Sequence, residues 1–256
     1  MKVDLTDSVA IVTGAGRGNG RAIAQALAAN GAAVIVNDID EGPAATTAQL
    51  IQDEGGKAHA IAADVSDESA VKNMVTEAEE TFGTVSTLVN NAGVGDAEAF
   101  VSKPDDDLWE LNLDTHLWGA IYCSKHTFEG MIEKDYGKII NITSIHTKGG
   151  VGFSPQYDVG KYSLLGFTKT MAMELGRFGI RVNAVAPGHT DTRMTEDFSE
   201  ARREQITDLN PLGRFAKSEE IAEAVAFLAS PASDYINGHE LRVDGGQRAI
   251  DAFKSV

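Results

Sequence analysis

Cysteine is almost absent from this chain. Cys123 stands alone among 256 residues, which excludes an internal disulfide framework and fits a reducing compartment. No thiolate-stabilising motif surrounds it, so it reads as a small buried hydrophobe on a helix. Proline is scarce too, at 6 residues against 26 glycines, and no Pro/Gly/Ser-rich linker divides the chain. Basic residues are outnumbered, 22 Lys and Arg against 38 Asp and Glu. The formal net charge of -16 argues against a nucleic-acid backbone as partner. No apolar run reaches membrane-spanning length, and MKVDLTDSVAIV lacks the basic region and apolar core of a signal peptide. These absences imply a cytoplasmic protein that neither spans nor binds a membrane.

What is present is a rhythm. Apolar runs at 8–13 and 33–36 flank a glycine turn and a helix that stops at Asn30-Gly31. A helical pattern at 41–54 precedes a strand at 57–62, and a helix at 67–82, capped by Ser66 or Asp67, ends at Gly83. A strand at 85–89, one long helix at 105–134 and a strand at 138–143 follow. The pattern then gives a helix at 157–178, a strand at 181–185, a helix at 218–228 and a strand at 240–243. Short, nearly all-apolar strands alternating with helices predict an α/β fold: one doubly wound Rossmann domain over 1–256, its parallel sheet of about seven strands covered by helices on both faces.

One stretch carries proton chemistry. Asn141 to Lys161 reads NITSIHTKGGVGFSPQYDVGK, with Ser144, then Tyr157, then Lys161 four residues on. On a helix that spacing sets phenol and ammonium side by side. A phenol titrates near 10 and accepts protons poorly at neutral pH. A neighbouring cation favours phenolate and lowers that value. Ser144 could hold the oxygen of a carbonyl or alcohol meanwhile. Such a trio moves protons but needs a partner for electrons.

That partner is suggested by Thr13 to Gly20, TGAGRGNG, after the first strand. G-x-G-x-x-G fits no register; Gly14-x-x-x-Gly18-x-Gly20 does, with Arg17 and Asn19 inside it. Glycines there let backbone amides approach a pyrophosphate at a helix N-terminus. Asp38, with Ile39 beside it, lies about 20 residues beyond the turn, where an acid accepts ribose hydroxyls. Its other reading is a turn cap. A 2′-phosphate facing Asp38 meets repulsion of roughly 4 kcal/mol at 4 Å and an effective dielectric of 20. Arg17 pulls the other way. The balance favours NAD over NADP.

With these pieces assembled, the chain resembles the short-chain dehydrogenase/reductase family over essentially its whole length. The matching residues are Thr13-Gly14-x-x-x-Gly18-x-Gly20, Asp64-Val65, Asn90-Asn91-Ala92-Gly93, Ser144, Tyr157-x-x-x-Lys161, Pro187-Gly188 and Val243-Asp244-Gly245-Gly246. The resemblance implies Tyr157 as acid/base, Lys161 lowering its pKa and holding the nicotinamide ribose, and Ser144 orienting the substrate oxygen. It implies Asp64 and Val65 beside the adenine, the turn Asn90 to Gly93 beneath the cofactor, and Thr190 and Thr192 at the carboxamide. Asn90 and Asn91 could instead chiefly tie strands together. Two departures stand out. Asn19 replaces an aliphatic residue, and His116 stands where relatives carry an Asn whose backbone holds a relay water. The relay is expected to persist, with His116 as a catalytic residue titrating near physiological pH; a packed helical His is the other reading.

His116, His146 and His189 fall near one sheet end, but no ligand-spaced motif supports a metal. His146, His189 and Phe153 are instead expected to line the substrate pocket, under a lid within 190–212. The reading is hydride transfer between NAD and a secondary alcohol/ketone pair. Its alternatives are an NADPH-dependent 3-oxoacyl or other ketoreductase, a non-redox reaction such as epimerisation, and a non-catalytic dinucleotide sensor. By family analogy, a homotetramer forms through 105–134, 157–178 and 238–256.

Overall fold

The computed structural model describes residues 3–149 and 153–247. In order come β1 (Val9–Val12), α1 (Gly18–Ala29), β2 (Ala33–Asp38), α2 (Glu41–Asp53), β3 (Lys57–Ala62), α3 (Glu68–Phe82) and β4 (Thr87–Asn90). Then follow α4 (Asp106–Leu113), α5 (Gly119–Glu133), β5 (Gly137–Ile142), α6 (Pro155–Leu175) and β6 (Ile180–Pro187). The last elements are α7 (Arg193–Glu196), α8 (Glu200–Asp208), α9 (Ser218–Ala229) and β7 (Glu240–Val243).

The seven strands form one parallel sheet in the order β3-β2-β1-β4-β5-β6-β7. Its strands are apolar because both faces are covered. Along β1, Val9 and Ile11 join a cluster with α3, α5 and α6, while Ala10 and Val12 join one with α1, α2 and α9. Each face of the pleat thus feeds its own core. Cys123 is in the first of these, fully buried, and burial pushes its thiol up to about 12. The chain turns from β1 toward β2 and β3, then returns to the other side at β4. The carboxyl ends of β1 and β4 therefore open a crevice at the point where the winding reverses.

Local signals explain most boundaries. Asp67 caps α3 by accepting from the amides of Ser69 and Ala70, and Gly83 ends it with φ 90°. The long helix expected at 105–134 is interrupted: Asp114–Trp118 form a π turn between α4 and α5. The wide turn carries His116 inward, 1% exposed, against α6. A Cβ on Gly160 would come within 2.5 Å of His116 Nδ1, so this approach depends on glycine. Single-turn π segments are frequent at functional sites. The segment expected as a lid is ordered into α7 and α8. Residues 248–256 of the expected 238–256 contact region lie outside the described residues.

Candidate active site

The crevice is a groove of about 770 Å³. Its floor begins at the glycine turn. Gly14 and Gly18 have φ of 59° and 50°, a left-handed conformation that costs glycine little. Gly20 has a different reason: a Cβ there would lie 2.1 Å from Gly14 O and 2.5 Å from Asn91 Nδ2. Around the groove stand Arg17, Asn19, Asp38, Ile39, Asp64, Val65, Asn91, Ala92, Gly93 and Thr192. Asn19 Oδ1 is buried with no hydrogen-bond partner among the described residues. A backbone cradle that a Cβ would fill, next to an orphaned polar atom, fits a dinucleotide pyrophosphate.

Asp38 does two jobs. It lines the groove and is 7% exposed, yet its Oδ2 accepts from Gly16 N at 2.9 Å and its Oδ1 from Asp40 N at 3.1 Å. The ribose and turn-cap readings are therefore not exclusive. Arg17 pairs across the rim with Asp40 at 3.0 Å, both partners well exposed. Asn90 and Asn91 tie neighbouring strands, and Asn91 also lines the groove. Asn90 Nδ2 donates to Asn141 Oδ1 at 2.8 Å, and Asn91 Nδ2 to Thr13 O at 2.8 Å and Gly14 O at 3.1 Å.

At its inner end the groove adjoins a cavity of about 120 Å³ lined by His116, Ser144, Tyr157, Lys161, Pro187 and Gly188, among others. Ser144 follows β5, His116 comes from the π turn, and Tyr157 and Lys161 share one face of α6. Lys161 Nζ lies 5.7 Å from the Tyr157 ring centre and donates to Ile142 O at 3.0 Å. His146 N donates to Ser144 Oγ at 3.2 Å, which leaves the Ser144 proton for its hydrogen bond to the phenol. His116 Nε2 accepts from Val94 N at 3.2 Å. Its proton therefore sits on Nδ1, which has no partner among the described residues.

Residues 14–248 match the model of a family described as Enoyl-(Acyl carrier protein) reductase. The chain is 38% identical over 244 residues to cis-4-hydroxycyclohexanecarboxylate dehydrogenase of Sinomonas cyclohexanicum, covering 95% of this chain and 98% of that one. It is 38% identical over 243 residues to 3-oxoacyl-[acyl-carrier-protein] reductase of Escherichia coli K12, covering 94% and 98%. A crystal structure of gluconate 5-dehydrogenase from Burkholderia cenocepacia J2315, in complex with NADP and tartrate, superposes with TM-score 0.92 at 34% identity, covering 97% and 98%. This chain is a short-chain dehydrogenase/reductase. It is an oxidoreductase that transfers hydride between NAD(P) and an alcohol/ketone pair.

The electrostatics of this dehydrogenase/reductase differ from the sequence expectation. Tyr157 is not lowered by its neighbour. Burial pushes its phenol up, the Ser144 hydrogen bond opposes this, and the Asp158 charge adds to it. Burial also drives Lys161 down to about 7, which weakens the cation meant to stabilise phenolate. His116 is likewise not poised near physiological pH. Burial, then the Lys161 charge, hold it well below the usual histidine range, against the Val94 hydrogen bond.

Some site predictions are corrected by position. His189 does not line the cavity: its ring packs 5.7 Å from Phe215 and 6.5 Å from Phe198, and Nδ1 meets Gln247. Phe153 is 82% exposed and does not reach the cavity, and His146 is not among the residues that line it, standing instead against the Tyr157 ring. Thr190 is buried, and its hydroxyl donates to Gly188 O rather than facing the groove. Met194, within the segment 190–212 expected to form the lid, lines both spaces. Among the described residues no group of three or more His, Cys, Asp or Glu could hold a metal ion, and no helix is long and apolar enough to cross a membrane.

The Lys161 shift has a testable consequence. Its folded value lies below the unfolded one, so the unfolded chain binds more protons between pH of about 7 and 10.5. For this group, stability of the ligand-free protein rises with pH across that window. Lys161→Met removes the buried amine and is expected to stabilise the ligand-free protein at pH 7 by about 1–2 kcal/mol. Thermal melts should show that advantage shrinking toward pH 10 while turnover is lost.

Proposed function

We propose that this enzyme oxidises a secondary alcohol, reversibly, with NAD as its preferred dinucleotide and Tyr157 as acid/base. The observation that carries the proposal is the convergence of Ser144, Tyr157 and Lys161 on one small cavity at the inner end of a glycine-floored groove. When bound, the nicotinamide accepts or gives the hydride. Ser144 Oγ holds the substrate oxygen. Tyr157 takes the hydroxyl proton in oxidation and returns it in reduction. Lys161 holds the nicotinamide ribose and lends charge to the phenolate. The Gly14–Gly20 turn would hold the pyrophosphate, with Asp64, Val65 and Ile39 at the adenine and Thr192 at the carboxamide. His116, neutral with its proton on Nδ1 and Nε2 engaged by Val94 N, has no free acceptor for a proton and would serve the relay by position only. Residues 190–212 would close over the substrate. One catalytic domain, a homotetramer and a cytoplasmic location complete the reading.

The NAD preference rests on Asp38, which lines the groove and would repel a 2′-phosphate there. Asp38→Ala is expected to shift the NADPH-to-NADH affinity ratio toward NADPH by about tenfold or more. Titrating protein against the fluorescence of each reduced dinucleotide measures it, and an unchanged ratio contradicts the assignment. The second reading, an NADPH-dependent ketoreductase, is favoured by Arg17 on the same rim, by the 3-oxoacyl reductase relative and by the NADP-bound gluconate 5-dehydrogenase. Tighter binding of NADPH by the wild-type protein would select it. An alcohol panel from small cyclic alcohols through steroids to hydroxyacyl thioesters, followed by absorbance of the reduced cofactor, tests the reaction itself.

A further inference from the structure

Beside Tyr157 lie two side chains that hydride transfer does not use. His146 sits on the 3-10 turn Ile145–Lys148 after β5, and Asp158 follows Tyr157 on α6. His146 Nδ1 is 2.5 Å from Asp158 Oδ1, and the two side chains are only 16% and 15% exposed. The imidazole stands edge-on to the Tyr157 ring, centres 5.1 Å apart at 78°. Through its backbone amide the same residue touches Ser144 Oγ. His146 is thus anchored to both groups that would grip the reacting oxygen.

The pairing fixes the chemistry of the free end of the ring. A carboxylate only accepts, so in neutral His146 the proton lies on Nδ1 and Nε2 keeps its lone pair. Nε2 has no protein hydrogen bond among the described residues, and the side chain is 16% exposed beside, rather than within, the lining of the 120 Å³ cavity. An acceptor with a fixed tautomer therefore stands against the Tyr157 ring and two residues from Ser144. A ring needed only for packing against Tyr157 has no use for a carboxylate that dictates which nitrogen is bare.

We propose that His146, positioned by Asp158, is a specificity-determining residue that accepts a hydrogen bond from a second hydroxyl on the carbon beside the carbinol. Vicinal diols, and α-hydroxy ketones in the reverse direction, are then the preferred substrate class. This rests on the assignment of Ser144, Tyr157 and Lys161 as the reacting site. A site built to pair a substrate hydroxyl penalises the analogue that lacks it, because its own polar group is left without a partner.

The test compares kcat/KM for the cyclohexane-1,2-diols with that for cyclohexanol, using the dinucleotide-loaded enzyme. The wild type is expected to favour one diol isomer by about three- to tenfold, the range of one neutral hydrogen bond. His146→Phe, which keeps a ring against Tyr157, should bring the ratio close to one whatever happens to the absolute rates. His146→Gln, whose amide oxygen can still accept, should keep part of the preference. Asp158→Asn, which frees the tautomer, should weaken it. A wild-type ratio near one, or a preference that survives His146→Phe, overturns the proposal. Turnover of neither alcohol by a chain that binds the dinucleotide would instead overturn the alcohol reading beneath it, and this proposal with it.

Discussion

Tyr157→Phe is expected to lower kcat by about 10³-fold or more while changing dinucleotide affinity by less than about threefold. The ring is kept, so the edge contacts with His116 at 5.5 Å and His146 at 5.1 Å survive. What is removed is one oxygen, the group hydrogen-bonded to Ser144 and assigned to take the substrate proton. A substitution this conservative in shape separates chemistry from packing. Stopped-flow turnover with the best alcohol from the panel, alongside titration with the reduced dinucleotide, gives both numbers. Retention of a tenth of the wild-type kcat would mean that another group moves the proton. His116 is ill-suited to that role, since burial and the Lys161 charge keep it neutral and Nε2 is already engaged by Val94 N.

Gly20→Ala should be the most damaging single change in the groove. The added methyl would lie 2.1 Å from Gly14 O and 2.5 Å from Asn91 Nδ2. Neither atom can yield cheaply. Asn91 Nδ2 ties the end of β4 to Thr13 O and Gly14 O, so pushing it away unfastens the turn from the sheet. The expected cost is about 2–3 kcal/mol of stability, in the range of forced overpacking. Dinucleotide affinity should fall by about 10²-fold, because the pyrophosphate cradle is the part displaced. Gly42→Ala on α2 is the control: nothing lies within 4 Å of the new Cβ, and α2 should gain up to about 1 kcal/mol. Melting curves and fluorescence titrations of both variants read the contrast. Equal melting temperatures would remove the steric account of Gly20.

Much of this was legible from residue order because it follows from backbone periodicity. Tyr157 and Lys161 share a face of α6 since four residues make one turn, and the glycine turn lies at the first crossover since α1 must start there. Asp38 could be placed by counting from the turn. What could not be read depends on contacts between distant segments. The direction of the Tyr157 shift is set by burial among groups from distant segments, His116 on the π turn and His146 after β5, which no local spacing encodes. His189 and Phe153 belong to loops, and their rings turn respectively into the Phe198–Phe215 cluster and into solvent. The π turn at Asp114–Trp118 is likewise a tertiary result, visible only once Gly160 admits the His116 ring. The His146–Asp158 pair spans twelve residues and two elements, so proximity in sequence gave no hint of it.

The central claim is that this site turns a phenol into a usable base only with a dinucleotide beside it. The direct measurement is the ultraviolet phenolate titration of Tyr157, taken as the difference between wild type and Tyr157→Phe, with and without NAD. The account predicts a midpoint above the ordinary tyrosine value of about 10 in the ligand-free protein, falling well below it in the NAD complex. A midpoint that does not move on binding NAD would contradict it.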